Sequence, residues 1–166
     1  MLFRSQFAKA FGARVIVTSS SDEKLARAKA LGADHLVNYR THPAWDDEVL
    51  ALTGGEGADL VLETGGAATF ARSVNAAAQG GTVFTIGFLS GVETNANLLP
   101  IIVKALRVLG NNTGSVDDLR DAARAIAAHR IAPVVDKTFE AGDAAKAYAH
   151  MMEGRHFGKL AFTLAW

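Results

Sequence analysis

No cysteine occurs among the 166 residues, which excludes disulfides and thiolate zinc sites. Neither sign of charge is in excess, because seventeen basic and seventeen acidic residues cancel. That balance leaves no electrostatic footprint for nucleic acid or an anionic membrane. No apolar run approaches the length of a membrane span, and the N-terminus has no apolar signal-peptide core. Internal repeats and low-complexity segments are missing as well. Together these absences point to a soluble, cytoplasmic protein. What is present supports a real core: 49% of residues are apolar and 20% charged. The length suits one domain, or one domain plus a piece of another.

The organising stretch runs from Ala13 to Lys24. Arg14 to Val17 is a short β-branched run, too short for a helix and typical of a buried parallel strand. It breaks into Thr18-Ser19-Ser20-Ser21. Ser20 and Glu23 have capping-box spacing, which predicts a helix from Ser21 to Leu31 closed by Gly32. In a dinucleotide-binding fold, an acid at this strand end accepts the ribose 2′-hydroxyl, whereas a 2′-phosphate requires its absence and a nearby cation. Hydroxyls followed by Lys24 suit the phosphate. The plainer alternative is that the serines only cap the helix and Lys24 is solvated.

Further along, strands and helices alternate strictly. Residues 1–11 read as the tail of a helix. Strands are predicted at His35–Asn38, Asp59–Leu62, Thr82–Ile86 and Leu106–Leu109, each followed by a short turn. Helices are predicted from Thr41-His42-Pro43, around Phe70 to Ala77 ending at Gly80-Gly81, at Asn97–Lys104, and after Ser115. Such alternation means a parallel sheet with helices on both faces. After Ala132-Pro133 the texture changes to a strand, a helix over Asp143–Glu153 and a last strand over Lys159–Leu164. Residues 1–132 are therefore expected to form one domain and 133–166 to belong to another.

Four segments carry a family resemblance. Ala30-Leu31-Gly32-Ala33-Asp34-His35-Leu36-Val37-Asn38-Tyr39 is similar to the "ALGADxVxNY" segment of medium-chain dehydrogenases/reductases. Gly57 to Gly66 resembles their "GxDxVxDxxG" step and Gly80 to Gly87 their "GGxxVxxG" step. His156-Phe157-Gly158-Lys159-Leu160 resembles their "HxxGKxVL" ending. The family comprises zinc-binding alcohol dehydrogenases and zinc-free quinone oxidoreductases. The resemblance implies a Rossmann-like, doubly wound parallel α/β sheet and a nicotinamide cofactor.

The family's G-x-G-x-x-G loop has no counterpart here, and Ala8-Lys9-Ala10-Phe11-Gly12-Ala13-Arg14-Val15-Ile16 resembles the segment that follows it. The expectation is a C-terminal fragment that lacks the GroES-like domain and the first, central strand, with Met1–Ser5 a non-native start or the scar of a truncated reading frame. In the strand order 3-2-1-4-5-6, that loss leaves unpaired edges beside a gap. By the same analogy, the tail after Ala132 belongs to the catalytic domain.

The resemblance carries cofactor-binding roles onto Ser19, Ser20, Lys24 and Tyr39 for NADP(H), with NAD(H) less favoured. Thr64, Gly65, Gly87 and Phe88 join them, because they lie at strand ends where an open sheet presents its crevice. Their alternative role is to allow tight strand exits. Arg155 is a looser candidate for the 2′-phosphate, and Asn111 and Asn112 either approach the nicotinamide or make a turn. No catalytic or metal-ligating set stands out: the five histidines lack carboxylates at ligand spacing. The expected function is the cofactor-binding portion of an oxidoreductase acting on a carbonyl, enone, quinone or alcohol, inactive as this chain alone, with a homodimer as the expected assembly; a dimer through the open sheet edge belongs to the competing reading. The competing reading is a catalytically inactive nucleotide-binding or interaction module. A Rossmann methyltransferase is disfavoured by the missing acid after Val17.

Overall fold

The computed structural model describes residues 2–164. Met1, and with it the start of the expected non-native segment, lies outside the described residues, as do the last two residues of the tail. Seven strands and seven α-helices alternate among the described residues. The β-branched run becomes β1 (Ile16–Ser19), and β2 (His35–Asn38) pairs with it in a two-stranded sheet. Helix α1 (Leu2–Ala10) precedes them and α2 (Asp22–Ala30) lies between them. The cap of α2 differs from expectation. Ser21, not Ser20, is the N-cap, and its Oγ accepts from the Lys24 N–H at 3.3 Å. Two residues more of extended backbone carry the strand past Val17 through Ser19, and the helix start moves one residue later, to Asp22.

The second sheet is parallel, with order β3-β4-β5 for Ala58–Glu63, Ala77–Thr85 and Arg107–Gly110. Helix α3 (Trp45–Leu52) begins later than Thr41, because the His42 N–H and the Thr41 hydroxyl both turn back onto the Asn38 carbonyl. Helix α4 (Phe70–Ala76) ends before the double glycine, which lies inside β4 instead. There the register between β3 and β4 slips, and a Cβ on Gly81 would meet the Ala78 and Ala58 carbonyl oxygens at 2.9 and 3.1 Å. The glycine pair thus serves a bulge, not a helix stop. A short α5 (Leu99–Val103) precedes β5. The third sheet is the parallel pair β6 (Val135–Glu140) and β7 (Lys159–Thr163), joined through α7 (Ala144–Met152). Helix α6 (Val116–Ala128) leads into it.

The chain forms two compact units: residues 1–17, 21–36 and 116–166, and residues 18–20 and 37–115. In the first, Ala28, Ala33 and Phe157 are the buried centre, with Val17, Leu31, Leu36 and Val134 around them. The Arg27 guanidinium lies 3.9 Å from the centre of the Phe157 ring, so the tail is held there by a cation–π contact as well as by burial. In the second, Val74, Ala77 and Val83 are buried between α4 and the sheet, against Val61, Phe70, Ile101 and Leu106.

Among the described residues, β2 is the only strand paired with β1, and β4 the only one paired with β3. Leu60 on β3 is 55% exposed, unusual for an apolar residue in the middle of a parallel strand. The expected unpaired edges are therefore present. No described helix is long and apolar enough to cross a membrane.

Candidate functional site

The three-stranded sheet ends in one register: Glu63 lies opposite Thr85, and Thr85 opposite Gly110. Thr64 and Gly65 after β3, Gly87 and Phe88 after β4, and Asn111 after β5 therefore leave at the same carboxyl edge. Such an edge is where open α/β sheets present ligand crevices. Asn111 N–H donates to the Thr85 carbonyl at 3.1 Å, continuing the ladder by one rung.

The first two turns are laced together. Ser90 N–H and its hydroxyl both donate to the Gly65 carbonyl at 2.7 Å, and Ala67 N–H donates to the Gly91 carbonyl at 3.1 Å. Gly66 has φ +89°, and a Cβ on it would meet the Gly91 oxygen at 2.6 Å and Phe88 Cα at 2.7 Å. Gly87 packs against the Thr64 backbone so closely that its Cβ would overlap the carbonyl oxygen. Beside this cradle Phe88 is 69% exposed, an aromatic face on a polar rim.

One buried acid organises these turns, a role that no motif in the sequence marks. Glu63 is 2% exposed, and its Oε1 accepts from Gly65 N–H (2.6 Å), Gly66 N–H (2.9 Å) and the Thr69 hydroxyl (2.7 Å). Its Oε2 accepts from the Ser73 hydroxyl at 2.5 Å. The available signal is an acid at a strand's last position, followed by Gly-Gly and by Thr69 and Ser73 four residues apart. The Thr85 hydroxyl on the neighbouring strand end is buried without a partner.

The hydroxyl-rich turn is built differently. Tyr39 N–H donates to the Ser19 carbonyl at 3.0 Å, which brings those two predicted residues together, with Ser20 next in the chain. Lys24, on the first turn of α2, donates from Nζ to the Gly154 carbonyl at 2.5 Å. Arg155 follows Gly154, and its guanidinium is paired with Glu153 Oε2 at 2.7 Å. Within that unit, Lys24 and the Arg155 turn are thus neighbours. The pairing with Arg155 holds the Glu153 carboxyl below the usual range. Among the described residues, no group of three histidines or acids is arranged to hold a metal ion.

Against known proteins, the zinc-binding dehydrogenase family model matches residues 2–128. A zinc-type alcohol dehydrogenase-like protein of Schizosaccharomyces pombe is 41% identical over 98% of this chain, which covers 48% of that protein. The chain therefore spans about half the length of this curated relative. A solved NAD-dependent alcohol dehydrogenase superposes with TM-score 0.87 at 40% identity, over 96% of this chain and 46% of the other. A mycobacterial protein solved with NADPH superposes with TM-score 0.83 at 25% identity, over 98% and 53%.

Proposed function

The chain belongs to the zinc-binding dehydrogenase family, and on that premise we propose that it supplies the nucleotide-binding part of an NADP(H)-dependent oxidoreductase of the alcohol dehydrogenase and quinone oxidoreductase type. The observation that carries this reading is the shared carboxyl edge of β3, β4 and β5, with Gly87 closed onto Thr64. Gly87 and Gly66 let the two strand exits pack backbone to backbone, and the carboxyl edge so formed is where an open α/β sheet takes its ligand, so the residues fit a nicotinamide nucleotide. When bound, that group supplies the hydride chemistry, to or from a carbonyl, enone, quinone or alcohol. The chain's own part is to bind and orient. Thr64, Gly65 and Gly87 offer close backbone, and Phe88 offers an apolar wall.

The NADP(H) preference rests on chemistry at the other turn. Ser19 and Ser20 present hydroxyls where an acid would repel a 2′-phosphate, and Tyr39 adds an aromatic ring. An ammonium has three N–H donors, so Lys24 keeps donors beyond the one on Gly154. Arg155 is the second cation in this reading. The relatives include both an NAD-dependent enzyme and a protein solved with NADPH, so the preference is this chain's own question. Lys24→Ala weakens NADPH binding about tenfold while changing NADH binding little, as expected for one charge-assisted contact. Paired titrations by fluorescence read this. Equal loss for both nucleotides removes the 2′-phosphate assignment.

In the same reading residues 1–132 form the nucleotide-binding domain and 133–166 belong to the catalytic domain. The assembly is a homodimer through the outer edge of β5, whose residues are all exposed.

A further inference from the structure

We propose that Glu63 is the positioning residue of the cradle: its carboxylate pre-forms the Thr64–Gly66 turn against which the nucleotide is held. This rests on the functional reading above. A carboxylate accepts only, and here four donors converge on it. Three of the four belong to the turn and the start of α4, and all three meet Oε1. The same residue's backbone carbonyl accepts from Ile86 N–H at 2.9 Å and Gly87 N–H at 3.3 Å. Glu63 thus holds both sides of the cradle, one with its side chain and the other with its main chain. Two adjacent N–H groups on one oxygen leave the turn a single arrangement. Without an acceptor, both must find water or rotate, and the Gly66 backbone, at φ +89° with little steric preference of its own, is free to follow.

The asymmetry of the carboxylate supplies the test. Oε2 meets only Ser73, a hydroxyl that accepts as readily as it donates. A glutamine can therefore keep its oxygen on the turn and give its amide to Ser73. A methionine of similar size offers no comparable acceptor. The full chain is prepared as wild type, Glu63→Met, Glu63→Gln and Ser73→Ala. Each is titrated with NADPH, and amide hydrogen exchange is followed at Gly65 and Gly66.

Glu63→Met is expected to speed exchange at both glycines and to weaken NADPH about tenfold or more, with Glu63→Gln and Ser73→Ala within about threefold of wild type. The two milder variants still lose some melting temperature, so stability and positioning separate. If Glu63→Met does not fold, Glu63→Asp, which withdraws the acceptor by one methylene, is read in its place. The proposal is overturned if loss of the acceptor leaves glycine exchange at the wild-type rate, or if Glu63→Gln loses as much as Glu63→Met. A wild-type chain that ignores NADPH refutes the functional reading instead. The exchange measurement then decides alone whether Glu63 holds the turn.

Discussion

A Gly87→Val chain unfolds roughly 6–12 °C below the parent, the equivalent of about 3 kcal/mol in a chain of this size. The atoms that its Cβ would meet are the carbonyl oxygen, carbonyl carbon and Cα of Thr64, all backbone. No flexible side chain can swing aside. The β3 and β4 exits must part, which breaks the bonds from Ile86 and Gly87 N–H to the Glu63 carbonyl. Because the same closure forms the cradle, NADPH binding falls about tenfold or more in parallel. A differential scanning measurement with and without nucleotide checks both. A Gly87→Val chain as stable as the parent contradicts the close approach on which the site is built.

Asp46→Ala is the second large effect, at about 3 kcal/mol. Asp46 lies in the first turn of α3 and is only 5% exposed. Its two oxygens accept from Arg72 Nη1 at 2.5 Å and Asn75 Nδ2 at 2.8 Å, both on α4. The pair of helices is therefore tied by charge-assisted bonds that truncation leaves unmet. Burial pushes the Asp46 carboxyl up, but the Asn75 and Arg72 bonds, a backbone N–H and the Arg72 charge hold the carboxyl below its ordinary value. The sign follows: a depressed folded value contributes stability above the unfolded value, and that contribution is lost as pH falls through the folded one. The difference between urea melts of parent and Asp46→Ala is thus full at neutral pH and narrows as pH falls below about 4. Asp34 acts in the same acid window. The Lys9 ammonium and then the Val15 N–H hold its carboxyl low, so the parent loses stability there from both units.

The alternation of β-branched runs with cappable helices was legible because both periods are local. His35–Asn38 is a strand with the bounds its residues suggest. The break in pairing between β1 and β3 was legible only through the family resemblance, since an unpaired edge leaves no mark on composition. The double glycine misled for a physical reason. Gly80-Gly81 reads as a helix stop, yet the close approach of Ala58 and Ala78 requires small residues inside β4. Likewise Thr41 and Pro43 carry helix-start chemistry that a tight turn onto Asn38 uses instead. At the site, the glycines and serines were visible as residue types. The role of Glu63 was not, because it depends on donors from a turn and a helix converging on one buried oxygen. Lys24 bonding to Gly154, 130 residues away, is equally a product of the tertiary fold.

Nucleotide binding by this chain is tested most directly by a thermal-shift titration of the 166 residues with NADPH and, separately, with NADH. A ligand that binds only the folded state at a hundred times its dissociation constant adds about 2.7 kcal/mol. Cooperative melting is expected to be raised by NADPH at concentrations about tenfold below those needed for NADH. A cooperative melt that neither nucleotide moves contradicts that expectation.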